Sequence, residues 1–200
     1  MERLDKIRRF FTLRGGLVRT SELAEGKIYY NDIQKLIEQG LIEKVRYGYY
    51  QWVSDSQESD EIRLIRFLIP DGILCMNTAL FHYRYIDRIP GEWHIAVEKD
   101  STKSRFRVEY PRFKPYYIKP EFLEVGLTLG EMNGEAIRIY DKERLICDVL
   151  KRFSRMDREL FNKSVQSYIA DSEKSIARLM DYAKVFKVEK RVKEIVGVWL

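Results

Sequence analysis

Few residues in this chain are of the kinds that do bond-making chemistry. It holds two histidines, His82 and His94, and two cysteines, Cys75 and Cys147. So few histidines do not point to a Ser–His–Asp triad or a histidine-rich metal site, and two distant cysteines exclude a disulfide framework or a CxxC zinc site by count. Each cysteine sits among apolar neighbours and reads as a reduced, buried thiol. No GxSxG, P-loop or GxGxxG occurs. A metal-dependent nuclease needs clustered carboxylates beside a lysine, because its divalent ion takes oxygen ligands. The Glu-x-Lys spacing of such sites occurs once, at Glu25-Gly26-Lys27. The Gly-Ser that opens a nucleotidyltransferase signature is absent. The expectation is a protein that is not an enzyme, with no catalytic residues, no metal ligands and no cofactor.

Recognition chemistry is better represented. Ile33, Leu36 and Ile37 recur at i, i+3, i+4 and predict a helix closed by Gly40 as a C′ residue. With that stripe turned inward, Asn31, Gln34, Lys35 and Glu38 face outward, and Tyr29 and Tyr30 stand at the N-terminal end, where base-reading side chains sit. Asn and Gln offer bidentate hydrogen bonds to adenine, and Lys reaches guanine or phosphate. Arg46 and Tyr47 fall at the tip of an expected hairpin as candidate phosphate contacts. Arg19, Thr20 and Ser21 are candidate backbone contacts at the start of a short preceding helix. A polar helix face is also what a solvated or protein-docking surface presents, so a module that docks protein is the alternative.

A second basic stretch lies further on. Residues 99–119 carry Lys99, Lys103, Arg105, Arg107, Arg112, Lys114 and Lys119 against two acids, with Phe106, Tyr110, Phe113, Tyr116 and Tyr117 interleaved. Bases mixed with aromatics suit a nucleic-acid backbone, and Lys99, Lys103, Arg105 and Arg107 are its candidate contacts. A solvated basic strand edge that discourages edge-to-edge pairing has the same composition.

The elements that must position these residues follow from periodicity. Leu4, Ile7, Phe10 and Phe11 predict a first helix, ended by Gly15-Gly16. Thr20 or Ser21 N-caps a short helix that Gly26 breaks. After the helix around Ile33, Ile42, Val45, Tyr47-Gly48 and Tyr49–Val53 read as a hairpin. Helix, Gly-Gly, helix, turn, helix, hairpin is the order of a winged helix-turn-helix domain. Residues 54–60 contain no apolar side chain and read as a linker, so domains are expected over 1–53 and 61–200. Beyond the linker, helices are expected over 61–69 and 77–85, then strands over 93–97, 105–110, 122–129 and 136–140. Helices over 142–153, 158–170, 172–186 and 188–196 complete the chain. The whole is α+β, a winged helix followed by a mixed-sheet domain ending in a helical bundle.

Composition bounds the rest. The 200 residues are 45% hydrophobic, with a net charge of +5 that is compatible with a polyanionic partner. No apolar run approaches the ~18–20 residues of a membrane helix, and the charged Met1–Lys6 stretch lacks a following apolar segment. A cytoplasmic protein without a membrane partner is expected.

Several motifs, in order, resemble the AbiEi-type antitoxins of type IV toxin–antitoxin (abortive-infection) systems. They are Gly15-Gly16-Leu17-Val18-Arg19-Thr20-Ser21-Glu22-Leu23, Leu36 through Val45, and Arg46-Tyr47-Gly48-Tyr49-Tyr50. Pro70-Asp71-Gly72-Ile73-Leu74, Asn77-Thr78-Ala79-Leu80 and Ile89-Pro90 follow. Gly134 through Ile139, Lys142 through Leu150 and Leu179-Met180-Asp181-Tyr182-Ala183 complete the set. Leu145 stands where that family usually has Thr. The resemblance implies an antitoxin whose winged helix represses its own promoter by binding inverted repeats in double-stranded DNA. It further implies a second domain that counters a nucleotidyltransferase toxin without a tight complex.

Overall fold

The structure, a computed structural model, describes residues 2–53, 61–108 and 110–197. It is mixed α+β, with two separate sheets and a helical C-terminal region. The chain forms two compact units, Met1–Ile69 with Arg107–Pro111, and Pro70–Phe106 with Arg112–Leu200. The expected linker, 54–60, lies outside the described residues. The units part between Ile69 and Pro70, so the helix over Glu61–Leu68 belongs with the first unit rather than opening the second.

The first unit runs α1 (Glu2–Thr12), β1 (Leu17–Arg19), α2 (Thr20–Glu25), α3 (Tyr30–Glu38), β2 (Ile42–Arg46), β3 (Tyr49–Trp52) and α4 (Glu61–Leu68). Its sheet is antiparallel in the order β1-β3-β2. Ile7 and Phe11 of α1, Val18, Leu23, Ile28, Ile33 and Leu36 of α3, and Ile42 form one core, with Ile37, Tyr50 and Trp52 at its margin. Burying such side chains is worth about 1.5–3 kcal/mol each, enough to orient α3 through its apolar stripe.

One element here was not foreseen and one local expectation differs. β1 has only three residues, too few to show a period, and forms by pairing Leu17 with Gln51. Arg19, not Thr20 or Ser21, is the N-cap of α2. Its backbone N–H donates to the Glu22 carboxylate at 2.7 Å, so the acid reaching back from the first turn replaces the hydroxyl cap.

The second unit contains β4 (Ile73–Leu74), α5 (Met76–His82), β5 (Trp93–Glu98), β6 (Phe113–Ile118), α6 (Pro120–Leu123), β7 (Leu127–Met132) and β8 (Glu135–Tyr140). It continues with α7 (Lys142–Lys151), α8 (Arg158–Ala170), α9 (Ile176–Phe186) and α10 (Glu189–Arg191), the last running on through Val192–Val196. The sheet order is β6-β5-β4-β8-β7, with β5–β6 and β4–β8 parallel and the other pairs antiparallel.

The strand expected over 105–110 is not formed. Lys103–Phe106 is a 3-10 turn and the strand is β6, further along; Glu109 lies outside the described residues. Phe106 packs edge-on against Phe113 and Tyr117 at 6.0 and 6.2 Å, so its burial is that of a turn lying against the sheet. The expected strand over 122–129 divides into α6 and β7, because Pro120 pre-sets a helical φ at N1. Gly126 then turns the chain at φ +77°, where a Cβ would come within 2.4 Å of the Arg144 Cβ. Helix α9 starts at Ile176 rather than Ser172, with Ser175 as N-cap accepting from the Arg178 amide at 3.3 Å.

Candidate nucleic-acid interface

The hairpin and β1 bring basic and aromatic side chains together in the first unit. Sheet register sets Arg19 opposite Tyr49 on one side and Arg46 opposite Tyr49 on the other. Tyr49 is therefore flanked by two guanidiniums across three strands. The Arg46 guanidinium carbon lies 3.9 Å from the Tyr49 ring centroid, that of Arg19 lies 5.5 Å away, and Lys44 Nζ is 5.4 Å from the Tyr47 ring. Contacts of this kind hold like charges near one another on the negative ring face. A β-bulge between Lys44 and Arg46 makes this alignment possible by shifting the register by one residue.

The same loop is tied to α2. Gly48 adopts φ +78°, a left-handed conformation that side-chain-bearing residues avoid, and its carbonyl accepts from the Thr20 backbone N–H at 2.9 Å. Arg19, Thr20, Arg46 and Tyr47 are thereby brought together, although up to 28 positions separate them in sequence. Thr20 and Ser21 are exposed, and Tyr47 is 91% exposed at the tip. Helix α4 supports the arrangement, since Phe67 meets Tyr49 edge-on at 5.6 Å and lies 5.5 Å from the Arg19 guanidinium. Sequence reasoning missed Tyr49 and Phe67. The cue for Tyr49 was its position two residues past the hairpin tip; nothing local marks Phe67.

A second group is carried by α3. Ile33 and Leu36 are buried, leaving Asn31 and Lys35 exposed and Gln34 half-buried. Tyr29 and Tyr30 are 60% and 72% exposed. The Tyr29 N–H donates to the Asp32 carboxylate at 3.1 Å and starts the helix. From α1, Arg3 grips that carboxylate with both arms of its guanidinium, Nε to Oδ1 at 3.2 Å and Nη2 to Oδ2 at 2.7 Å. This pair holds the Asp32 carboxyl below the usual range, first through the Arg3 hydrogen bonds and then through the Tyr29 amide.

The four candidates from the second basic stretch do not act as a set. Lys99 and Lys103 are exposed, but Arg105 is committed to Asp71, Nη1 to Oδ2 at 2.9 Å, and this bond lowers the Asp71 pKa. Arg107 is exposed and clusters with the first unit, not with the other three. The interleaved aromatics Phe106, Phe113 and Tyr117 pack on one another, so they do not form an open stacking platform.

His94 is buried, and its Nδ1 is hydrogen bonded to the Tyr116 hydroxyl at 3.0 Å. Burial, reinforced by Lys114 and opposed by Glu92, lowers its pKa to about 4. A histidine that protonates more readily unfolded than folded contributes stability that is complete above about pH 6.5 and lost as pH falls toward 4. The expected loss is about 2–3 kcal/mol. Unfolding of wild type and His94→Gln, followed between pH 7 and 4, should show the steeper decline in wild type. Burial raises both thiols, Cys147 to about 12, so neither is a poised nucleophile. Among the described residues, no group of three or more His, Cys, Asp or Glu side chains is placed to hold a metal ion, and no helix is long and apolar enough to cross a membrane.

No protein-family model matches the chain, and no curated protein matches it. Its fold is similar to that in the crystal structure of the Rv2827c protein from Mycobacterium tuberculosis, with a TM-score of 0.61 at 14% identity. The match covers 84% of this chain and 66% of that one, and identity this low speaks for the fold alone.

Proposed function

We propose that this protein binds double-stranded DNA through its first unit, acting as a winged helix-turn-helix repressor of its own promoter. The observation that carries the reading is the row Arg19–Tyr49–Arg46, fixed by sheet register beside the Thr20–Gly48 hydrogen bond. Two guanidiniums held on one ring form a rigid cationic edge of the kind that clamps phosphates. Helix α3, anchored by Ile33 and Leu36, presents Asn31, Gln34 and Lys35 to base edges in a major groove, with Tyr29 and Tyr30 at its leading end. Phosphate contacts set register and the helix reads sequence.

Within this reading, the ordered resemblance to AbiEi-type antitoxins supports a type IV antitoxin, a cytoplasmic protein whose second unit counters a nucleotidyltransferase toxin. Lys99, Lys103 and Arg107 remain as auxiliary backbone contacts, and Arg105 serves the fold through Asp71.

Gel shifts on DNA upstream of the protein's own reading frame, repeated across salt concentrations, test the proposal. Neutralising about five phosphates should cost about two to three orders of magnitude in affinity between 50 and 200 mM salt. A flat salt response overturns the DNA reading. Lys35→Ala should erode discrimination between promoter and random DNA more than Lys103→Ala does, since only the first faces base edges.

A further inference from the structure

We infer that Arg3 is a positioning residue for DNA recognition: by neutralising Asp32 and bracing the turn before α3, it makes the leading end of α3 fit to approach a polyanion. The inference rests on the DNA reading above and concerns a residue that reading does not use.

Asp32 lies in the first turn of α3, among Tyr29, Tyr30, Asn31 and Lys35, the side chains proposed to enter the groove. Its carboxylate has a structural task there, because it accepts the Tyr29 N–H that would otherwise be unsatisfied at the helix start. The negative charge also complements the helix dipole. The same charge opposes approach to phosphate, so one residue is favourable for folding and unfavourable for binding.

Arg3 resolves that conflict. Its bidentate grip covers both carboxylate oxygens, leaving Asp32 only about one-fifth exposed. The same guanidinium reaches the Lys27 carbonyl at 3.4 Å, in the turn between α2 and α3 where Lys27 takes φ +55°. Three elements are thus joined by one side chain: the first turn of α1, the α2–α3 turn and the start of α3. Arg3 itself is two-thirds exposed, and exposed ion pairs add little to global stability. What the pair changes is the charge and placement of the helix end.

A double-mutant cycle separates this role from a direct phosphate contact. The full-length chain is tested as wild type, Arg3→Gln, Asp32→Asn and the double variant, each titrated with promoter DNA and melted without it. Arg3→Gln should weaken binding about five- to tenfold with an almost unchanged Tm. In the Asp32→Asn background, where the side-chain carbonyl still caps Tyr29, the same replacement should cost less than twofold. Arg3→Lys should recover part of the affinity, because it restores the charge but not the bidentate geometry. Equal losses in both backgrounds would make Arg3 a direct contact and overturn the inference, as would unchanged binding by Arg3→Gln. Carboxyl titration by NMR reads the pair without DNA, and the Asp32 carboxyl should rise in Arg3→Gln. If wild type itself ignores DNA, the DNA reading fails and takes the binding role of Arg3 with it, while the titration still reports whether the clamp exists.

Discussion

Replacing Arg19 and Arg46 together with alanine should lower affinity for promoter DNA about thirtyfold at 0.15 M salt. Removing two phosphate contacts reduces the salt slope by about 1.8. With binding at 1 M salt unchanged, that slope gives the thirtyfold loss at 0.15 M and about ninefold at 0.3 M. The effect should be uniform across sequences, because these side chains meet the backbone rather than bases. Stability should fall less, since such cation–aromatic contacts are worth about 0.5–1 kcal/mol at an exposed side chain such as Arg19 and about 2 kcal/mol at a half-buried one such as Arg46. Either single replacement should show about half the change in slope. Tyr49→Leu is the informative companion, because it keeps both charges but removes the ring they rest on. An intermediate loss of affinity is expected there, as the guanidiniums become free to disperse. If the double variant keeps the wild-type salt slope in a gel-shift or anisotropy titration, the hairpin is not the phosphate clamp.

The largest stability effect is expected in the second unit, at Arg144. This guanidinium is 1% exposed and lies between two rings, its central carbon 4.1 Å from the Tyr140 centroid and 4.0 Å from that of Phe186. Its Nε donates to Asp148 at 3.0 Å, and its Nη1 donates to the carbonyls of Phe122 and Val125 at 2.7 and 2.6 Å. Arg144→Ala therefore strands a buried carboxylate, leaves two carbonyls short of a donor and opens a gap between rings. Breaking a buried pair from one side costs about 3–5 kcal/mol, which in a chain of this length shifts Tm by about 10 °C. Arg144→Lys should recover little, since an ammonium cannot match a planar fork held between two rings. Burial already pushes the Asp148 pKa up, and Arg144 holds it down. Without Arg144 the carboxyl must rise further, so the folded variant binds protons more readily than the unfolded chain. The deficit should therefore be smaller at pH 5 than at pH 8, and calorimetry at the two values checks the sign.

Arg144 also shows how sequence and structure divide the account. The motif from Lys142 to Leu150 was readable as a helix and as part of a resemblance, but nothing in it says that its arginine points inward. That follows from Gly126, where a Cβ would overlap the Arg144 side chain, and from carbonyls about twenty positions upstream. Similarly, the alternation through Phe106, Val108 and Tyr110 had the period of a strand without a partner strand to pair with. Arg105 found Asp71 instead, 34 positions away.

Local order was legible because it repeats within a few residues. The i, i+3, i+4 spacing of Ile33, Leu36 and Ile37 marked α3 and its exposed Asn31, Lys35 and Glu38, whereas Gln34, expected outward with them, is half-buried. The apolar run at Trp93–Val97 marked β5, and the helix expected over 158–170 has the bounds of α8, Arg158–Ala170. Strands of two or three residues, β1 and β4, carry no period and exist only through distant partners, Gln51 for Leu17 and Ile139 for Leu74. The candidate clamp belongs to that second kind. Sequence alone placed Arg19 and Arg46 in separate elements, and only the pairing of three strands, with one bulge, set both against Tyr49. Periodicity is decided within a single turn or pleat, whereas register is decided by which remote segments lose the least on packing together.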